Sequence, residues 1–128
     1  MYKRTLSQSF RLAFEGLRFV FKTERNMRVH CFFALMAVVC SFIFKVSAME
    51  FVFVIFSIAL VLISESANTA FELLLDFVHG DRYHPDVKLL KDIVAGGVFI
   101  AAVNAFVVGS IIFVPKIWGI AVKIAGWM

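Results

Sequence analysis

The sequence predicts an all-α membrane protein, with one N-terminal amphipathic helix lying on the membrane surface followed by three transmembrane helices. The first observation is composition: mean hydropathy is +0.91 and 62% of residues are hydrophobic, more than the roughly 45–50% of a soluble domain. The second is three apolar runs, each long enough to span or nearly span a hydrocarbon core. The third is the sorting of charge. Residues 1–28 hold seven Lys/Arg and the 77–92 loop three more, whereas Lys45, Lys116 and Lys123 are the only ones beyond these segments.

The 128 residues make one compact membrane domain with no room for a separate soluble one. Over 6–22, Leu6, Phe10, Ala13, Phe14, Leu17, Val20 and Phe21 share one side, while Arg11, Glu15, Arg18 and Lys22 take the other. This is an interfacial helix. Residues 28–46 form the first span, short enough that Arg28 and Lys45 must snorkel. The second, 51–78, is longer than the hydrocarbon is thick, so its last turns project into the cytosolic interface. Pro85 suits the first position of the third, 86–114, whose Ala95, Gly96, Gly97, Ala101, Ala102 and Gly109 permit close helix approach. Asn104 is expected to bond between helices. Pro115 marks the exit, leaving 116–128 at the outer interface.

Several functions are excluded. The basic residues are divided by side of the membrane rather than gathered on one patch, which argues against nucleic acid as a partner. His30, His79 and His84 lack metal spacing and Cys partners, so a structural zinc site is not expected. Cys31 and Cys40 point to opposite sides of one helix and cannot bridge. Neither G-x-x-x-x-G-K-[ST] nor G-x-G-x-x-G occurs.

The chemistry lies in Ser64-Glu65-Ser66-Ala67-Asn68-Thr69-Ala70-Phe71-Glu72. On one helix Glu65, Asn68, Glu72 and Asp76 fall at about 0°, 300°, 340° and 20°, one polar stripe on an apolar rod. Ionisable groups in a membrane helix cost about 2.5–3.5 kcal/mol on insertion scales, so they face protein or water and mark functional sites. Glu65 lies about 7–8 Å below a core boundary at Ala70, a depth suited to a general base, while Glu72 and Asp76 lie at or beyond that boundary. Asn68 is placed to orient Glu65 or an acceptor hydroxyl. Lys91, at the start of a helix, is placed to meet phosphate.

Glu65-x-x-Asn68-Thr69-Ala70-x-Glu72 with Asp76, then Tyr83-His84-Pro85 and Lys91-Asp92-x-x-Ala95-Gly96, resembles the prokaryotic diacylglycerol kinase family, including its undecaprenol kinase branch, over about Ser9 to Ile117. The resemblance implies an ATP-dependent lipid kinase of the inner (cytoplasmic) membrane. It implies Glu65 as catalytic base, Glu24 and Glu72 as Mg²⁺ ligands, His84, Lys91 and Asp92 as nucleotide contacts, and a homotrimer with sites between subunits. The Tyr83-His84-Pro85 turn and the Ile111–Lys116 segment are closer to the undecaprenol branch than to the diacylglycerol one. The alternative from another class is a non-catalytic membrane assembly or small-transporter subunit, which would need Glu65 but neither Lys91 nor magnesium.

The positive-inside rule sets the orientation. With ten basic residues on one side and three on the other, the N-terminus is expected to be cytoplasmic and the C-terminus outside. A topology reporter fused to the C-terminus should therefore read as external; a cytoplasmic signal would invert the orientation.

Overall fold

The computed structural model describes residues 3–127. Four helices follow in order: α1 (Leu6–Thr23), α2 (Arg25–Ile43), α3 (Ala48–His79) and α4 (Pro85–Gly126), with no strand among the described residues. The last three are each long and apolar enough to cross a membrane.

Local chemistry sets the boundaries. Thr5 and Gln8 form a capping box at the start of α1: the Gln8 amide donates to Thr5 Oγ1 at 3.2 Å, and the Thr5 amide to Gln8 Oε1 at 2.9 Å. Glu24 is extended and breaks the chain between α1 and α2. Arg28 then reaches back, donating from one guanidinium nitrogen to the carbonyls of Phe21 at 3.0 Å and Lys22 at 2.9 Å. These are among the carbonyls that the end of α1 leaves without a helical partner. Arg28 thus caps α1 where the sequence suggested only a snorkelling cation.

The first span is displaced toward the N-terminus relative to the expected 28–46. It starts at the Glu24 break and stops where Lys45 turns left-handed at φ 51°. The Val46 amide donates to the Ser41 carbonyl at 3.1 Å and the Lys45 amide to the Phe42 carbonyl at 3.3 Å, the double closure of a Schellman motif. α3 begins earlier than 51 because Ser47 and Glu50 form a second capping box. At 32 residues it is about 48 Å long. It ends at Gly80, whose φ of 77° favours a residue without Cβ.

α4 begins with His84 as N-cap and Pro85 at its first position. Its 42 residues extend about 63 Å, and the helix continues through Pro115 to Gly126. Proline has no N–H for the carbonyl four residues earlier, yet neighbouring turns carry the helix onward.

α3 is the central helix. It lies against α4 on one side and α2 on another, with α1 joined to both α2 and α3. Three polar ties fix the antiparallel register of α3 and α4. Lys116 Nζ donates to Glu50 Oε2 at 2.9 Å, Asn104 Nδ2 donates to Ser57 Oγ at 3.4 Å, and Lys91 Nζ donates to Asp76 Oδ1 at 2.7 Å. The glycines of α4 act differently from expectation within one chain. A Cβ at Gly96, Gly97 or Gly109 would meet nothing within 4 Å. Of that small-residue group only Ala101 is among the buried residues.

Burial differs from that of a water-soluble protein. Ser41, Ser57, Glu65, Asn68 and Thr69 are buried, whereas Phe32, Phe56, Phe99, Ile100 and Phe106 are exposed. Large apolar surfaces facing outward over fully helical backbone are what a lipid solvent requires.

Candidate active site

The site is built on the stripe of α3 that the periodicity predicts. Glu65 is only 1% exposed and is the largest fully buried side chain among the described residues. One turn on, Thr69 is also buried and its hydroxyl donates back to the Glu65 carbonyl at 3.1 Å. Glu72 is half-buried and Asp76 exposed. The three carboxylates therefore pass from dry to wet along one helix face.

Asn68 stands between them. Its Nδ2 donates to Glu72 Oε1 at 3.4 Å, while its Oδ1 is buried without a hydrogen-bond partner. Buried acceptors are seldom left unpaired in native proteins. An orphaned oxygen one helical turn from Glu65 is therefore a place where a ligand hydroxyl or amine can donate.

α2 contributes two groups. Glu24 occupies its N-cap position without making a side-chain capping bond, so its carboxylate is not committed to the helix end. His30, in the second turn of α2, places Nε2 3.4 Å from Glu65 Oε2. The sequence-based site omitted His30, although the rule that flagged Glu65 applies to it as well: it is an ionisable residue inside an apolar span.

The third wall comes from the turn and the start of α4. Lys91 reaches the stripe through Asp76. Asp92 instead pairs with Lys88, whose Nζ donates to its Oδ2 at 2.6 Å. His84 is held locally, with Nδ1 accepting from the Asp86 amide at 3.1 Å and its ring edge-on to His79 at 5.3 Å. The structure thus joins Lys91 to the stripe directly. It places His84 and Asp92 on the adjoining turn and first turns of α4, with their side chains engaged by neighbours rather than by Glu65 or Glu72.

Beside Glu65 opens a groove of about 420 Å³ between α2, α3 and α4. Its walls include Phe33, Val54, Val61, Leu62, Phe106 and Phe113, and its only polar side chains are His30 and Ser57. An apolar slot therefore ends against the residue that touches the buried carboxylate.

Comparison with known proteins gives this arrangement a family. The prokaryotic diacylglycerol kinase profile matches residues 11–113, which include every side chain of the stripe, Glu24, His30 and Lys91. The chain belongs to the prokaryotic diacylglycerol kinase family. It is 33% identical over 114 residues to a diacylglycerol kinase of Synechocystis sp., covering 89% of this chain and 65% of that protein. It is 34% identical over 110 residues to an undecaprenol kinase of Bacillus subtilis, covering 86% and 89%. A diacylglycerol kinase of Haemophilus influenzae is 31% identical over 118 residues, covering 88% and 99%. The chain thus spans just under two thirds of the Synechocystis relative and most of the other two. These are lipid kinases, and the non-catalytic alternative is not favoured.

Proposed function

We propose that this chain transfers the γ-phosphate of ATP to the hydroxyl of a lipid alcohol at the inner leaflet of the cytoplasmic membrane, with undecaprenol as the acceptor. The observation that carries the reading is the apolar groove lined by His30, whose Nε2 lies 3.4 Å from the fully buried Glu65 carboxylate. Family membership supplies the reaction class.

The acceptor follows from the lining. A prenol is hydrocarbon except for its terminal hydroxyl, and it asks nothing polar of the walls. Diacylglycerol would bring two ester groups into a slot whose polar side chains are only His30 and Ser57, and buried carbonyls without donors are costly. The prenol hydroxyl would lie at His30 and Leu62, with Glu65 and Asn68 one to two helical turns beyond Leu62 on α3.

In the proposed reaction the acceptor oxygen forms a bond to the γ-phosphorus, the bond from that phosphorus to the β-bridging oxygen breaks, and ADP leaves. Glu65 takes the hydroxyl proton, and Asn68 orients the hydroxyl. Lys91, His84 and Asp92 lie toward the cytosolic end of the stripe, where a water-soluble nucleotide arrives. Lys91 exchanges Asp76 for phosphate oxygens.

Glu24 and Glu72 are the residues proposed to hold Mg²⁺. No group of three or more acidic, His or Cys side chains forms a metal-holding cluster among the described residues. Two carboxylates nonetheless suit this ion, which keeps several waters and takes its other oxygens from substrate phosphates. When bound, Mg²⁺ neutralises charge on the phosphate oxygens.

A homotrimer is part of the proposal. Gly96 and Gly97 leave open space on α4, and Leu6, Phe10 and Phe14 of α1 are exposed. A close neighbouring helix could use the first surface, and lipid or a second subunit the other.

The acceptor is tested with purified protein in mixed micelles. Radiolabelled phosphate should pass from ATP to undecaprenol in preference to diacylglycerol; transfer to diacylglycerol alone would overturn the acceptor assignment. Glu65→Gln keeps shape and most hydrogen bonding while removing the base. Turnover should fall about 10²-fold or more, the usual contribution of general acid–base catalysis, with nucleotide binding retained. Near wild-type turnover would remove Glu65 from the mechanism. Glu72→Gln should raise the magnesium concentration needed for half-maximal rate and weaken ATP binding. An unchanged magnesium titration would leave Glu72 with a structural role.

A further inference from the structure

We infer that His30 is a positioning residue for Glu65, its Nε2–H holding the buried carboxylate in the orientation that receives the acceptor's proton. The inference rests on the proposed role of Glu65 as base and deepens it. His30 approaches from a different helix, with Nε2 3.4 Å from Glu65 Oε2, and its side chain is 21% exposed where that of Glu65 is 2%. The imidazole thus sits between the groove it lines and the carboxylate it touches.

A carboxylate withdrawn from water needs a donor if it is to carry charge. His30 is the only cationic-type side chain within ion-pair distance of Glu65 among the described residues. Lys91, the cation at the wet end of the stripe, is engaged by Asp76 at 2.7 Å. Glu65 stands on α3 and His30 on α2, so the contact also fixes the carboxylate relative to a second wall of the groove. Two anchored elements hold a reacting group more closely than one flexible side chain can. An imidazole can offer this donor from Nε2 in its Nε2–H tautomer and as imidazolium alike.

The test compares wild type, His30→Leu, His30→Gln, Glu65→Gln and the His30→Leu/Glu65→Gln double variant in mixed micelles, using undecaprenol and diacylglycerol in separate assays. His30→Leu should lower kcat about 10- to 100-fold, the range for losing a hydrogen bond to a charged group, and leave KM for ATP unchanged. His30→Gln offers an amide N–H in place of Nε2–H and should retain most of the wild-type kcat. In the Glu65→Gln background His30→Leu should cost little more, because residues acting through one another are not additive. A wild-type kcat in His30→Leu, equal losses in the Leu and Gln variants, or a raised KM for ATP in both would overturn the inference. These outcomes are separate from failure of the underlying reading. That failure would appear as no transfer by wild type to either lipid, or as full turnover by Glu65→Gln.

Discussion

A carboxylate placed among hydrocarbon chains must be enclosed by protein, and the position of Glu65 makes that requirement govern the whole structure. Glu65 lies on α3, one helical turn before Asn68 and Thr69, which are buried with it. No single helix can shield such a stripe, so α3 is flanked by α2 and α4 and approached by α1. The apolar residues that would form a core in water are turned outward, because lipid solvates them at no cost. The interior mixes Val54, Val61, Ala101 and Ile112 with Ser57, Glu65, Asn68 and Thr69, and each interior polar group then needs a partner.

The partners also explain the register of the long helices. Apolar packing alone tolerates sliding of one smooth rod on another, and lipid offers no hydrophobic penalty for exposing the surface so uncovered. Glu50 with Lys116, Ser57 with Asn104 and Asp76 with Lys91 tie α3 to α4 at one end, along its length and at the other end. A slide of one turn would break all three. The same ties put the start of α4, with Lys91, beside the exposed end of the stripe rather than beside Glu65.

Much of this organisation was legible in the sequence, since the signals were local. The amphipathic pattern from Leu6, the three apolar runs and the helical spacing of Glu65, Asn68, Glu72 and Asp76 each depend on one helix alone. Boundaries were read less well because they depended on details that hydropathy averages away. Lys45 adopts a left-handed conformation usually given to glycine, and Ser47 with Glu50 starts α3 ahead of its apolar run. His30 was missed for a different reason. Its meaning comes from the residue opposite it on α3, and no spacing within α2 reveals which face of α2 meets Glu65. The glycines of α4 illustrate the converse: their spacing suggested close approach, but Gly96 and Gly97 face open space within the single chain.

The gradient along α3 joins these constraints to function. A lipid alcohol is soluble in the hydrocarbon and a nucleotide in water, so the two can react only where one surface faces both. A stripe that begins at a 1% exposed glutamate and ends at an exposed aspartate paired with lysine provides such a surface on one rigid helix. Distances between its groups are then set by helical rise rather than by flexible loops. In the proposed reaction the dry end would exclude the water that competes with the lipid hydroxyl for phosphate, while the wet end would admit charged phosphates without asking the membrane to accommodate them. Under the proposed reaction, moving Glu65 toward the exposed end of the stripe would open the acceptor to water. Moving Lys91 to the depth of Glu65 would bury a cation without its aspartate, so the order of these residues along the chain follows the passage from buried to exposed along α3.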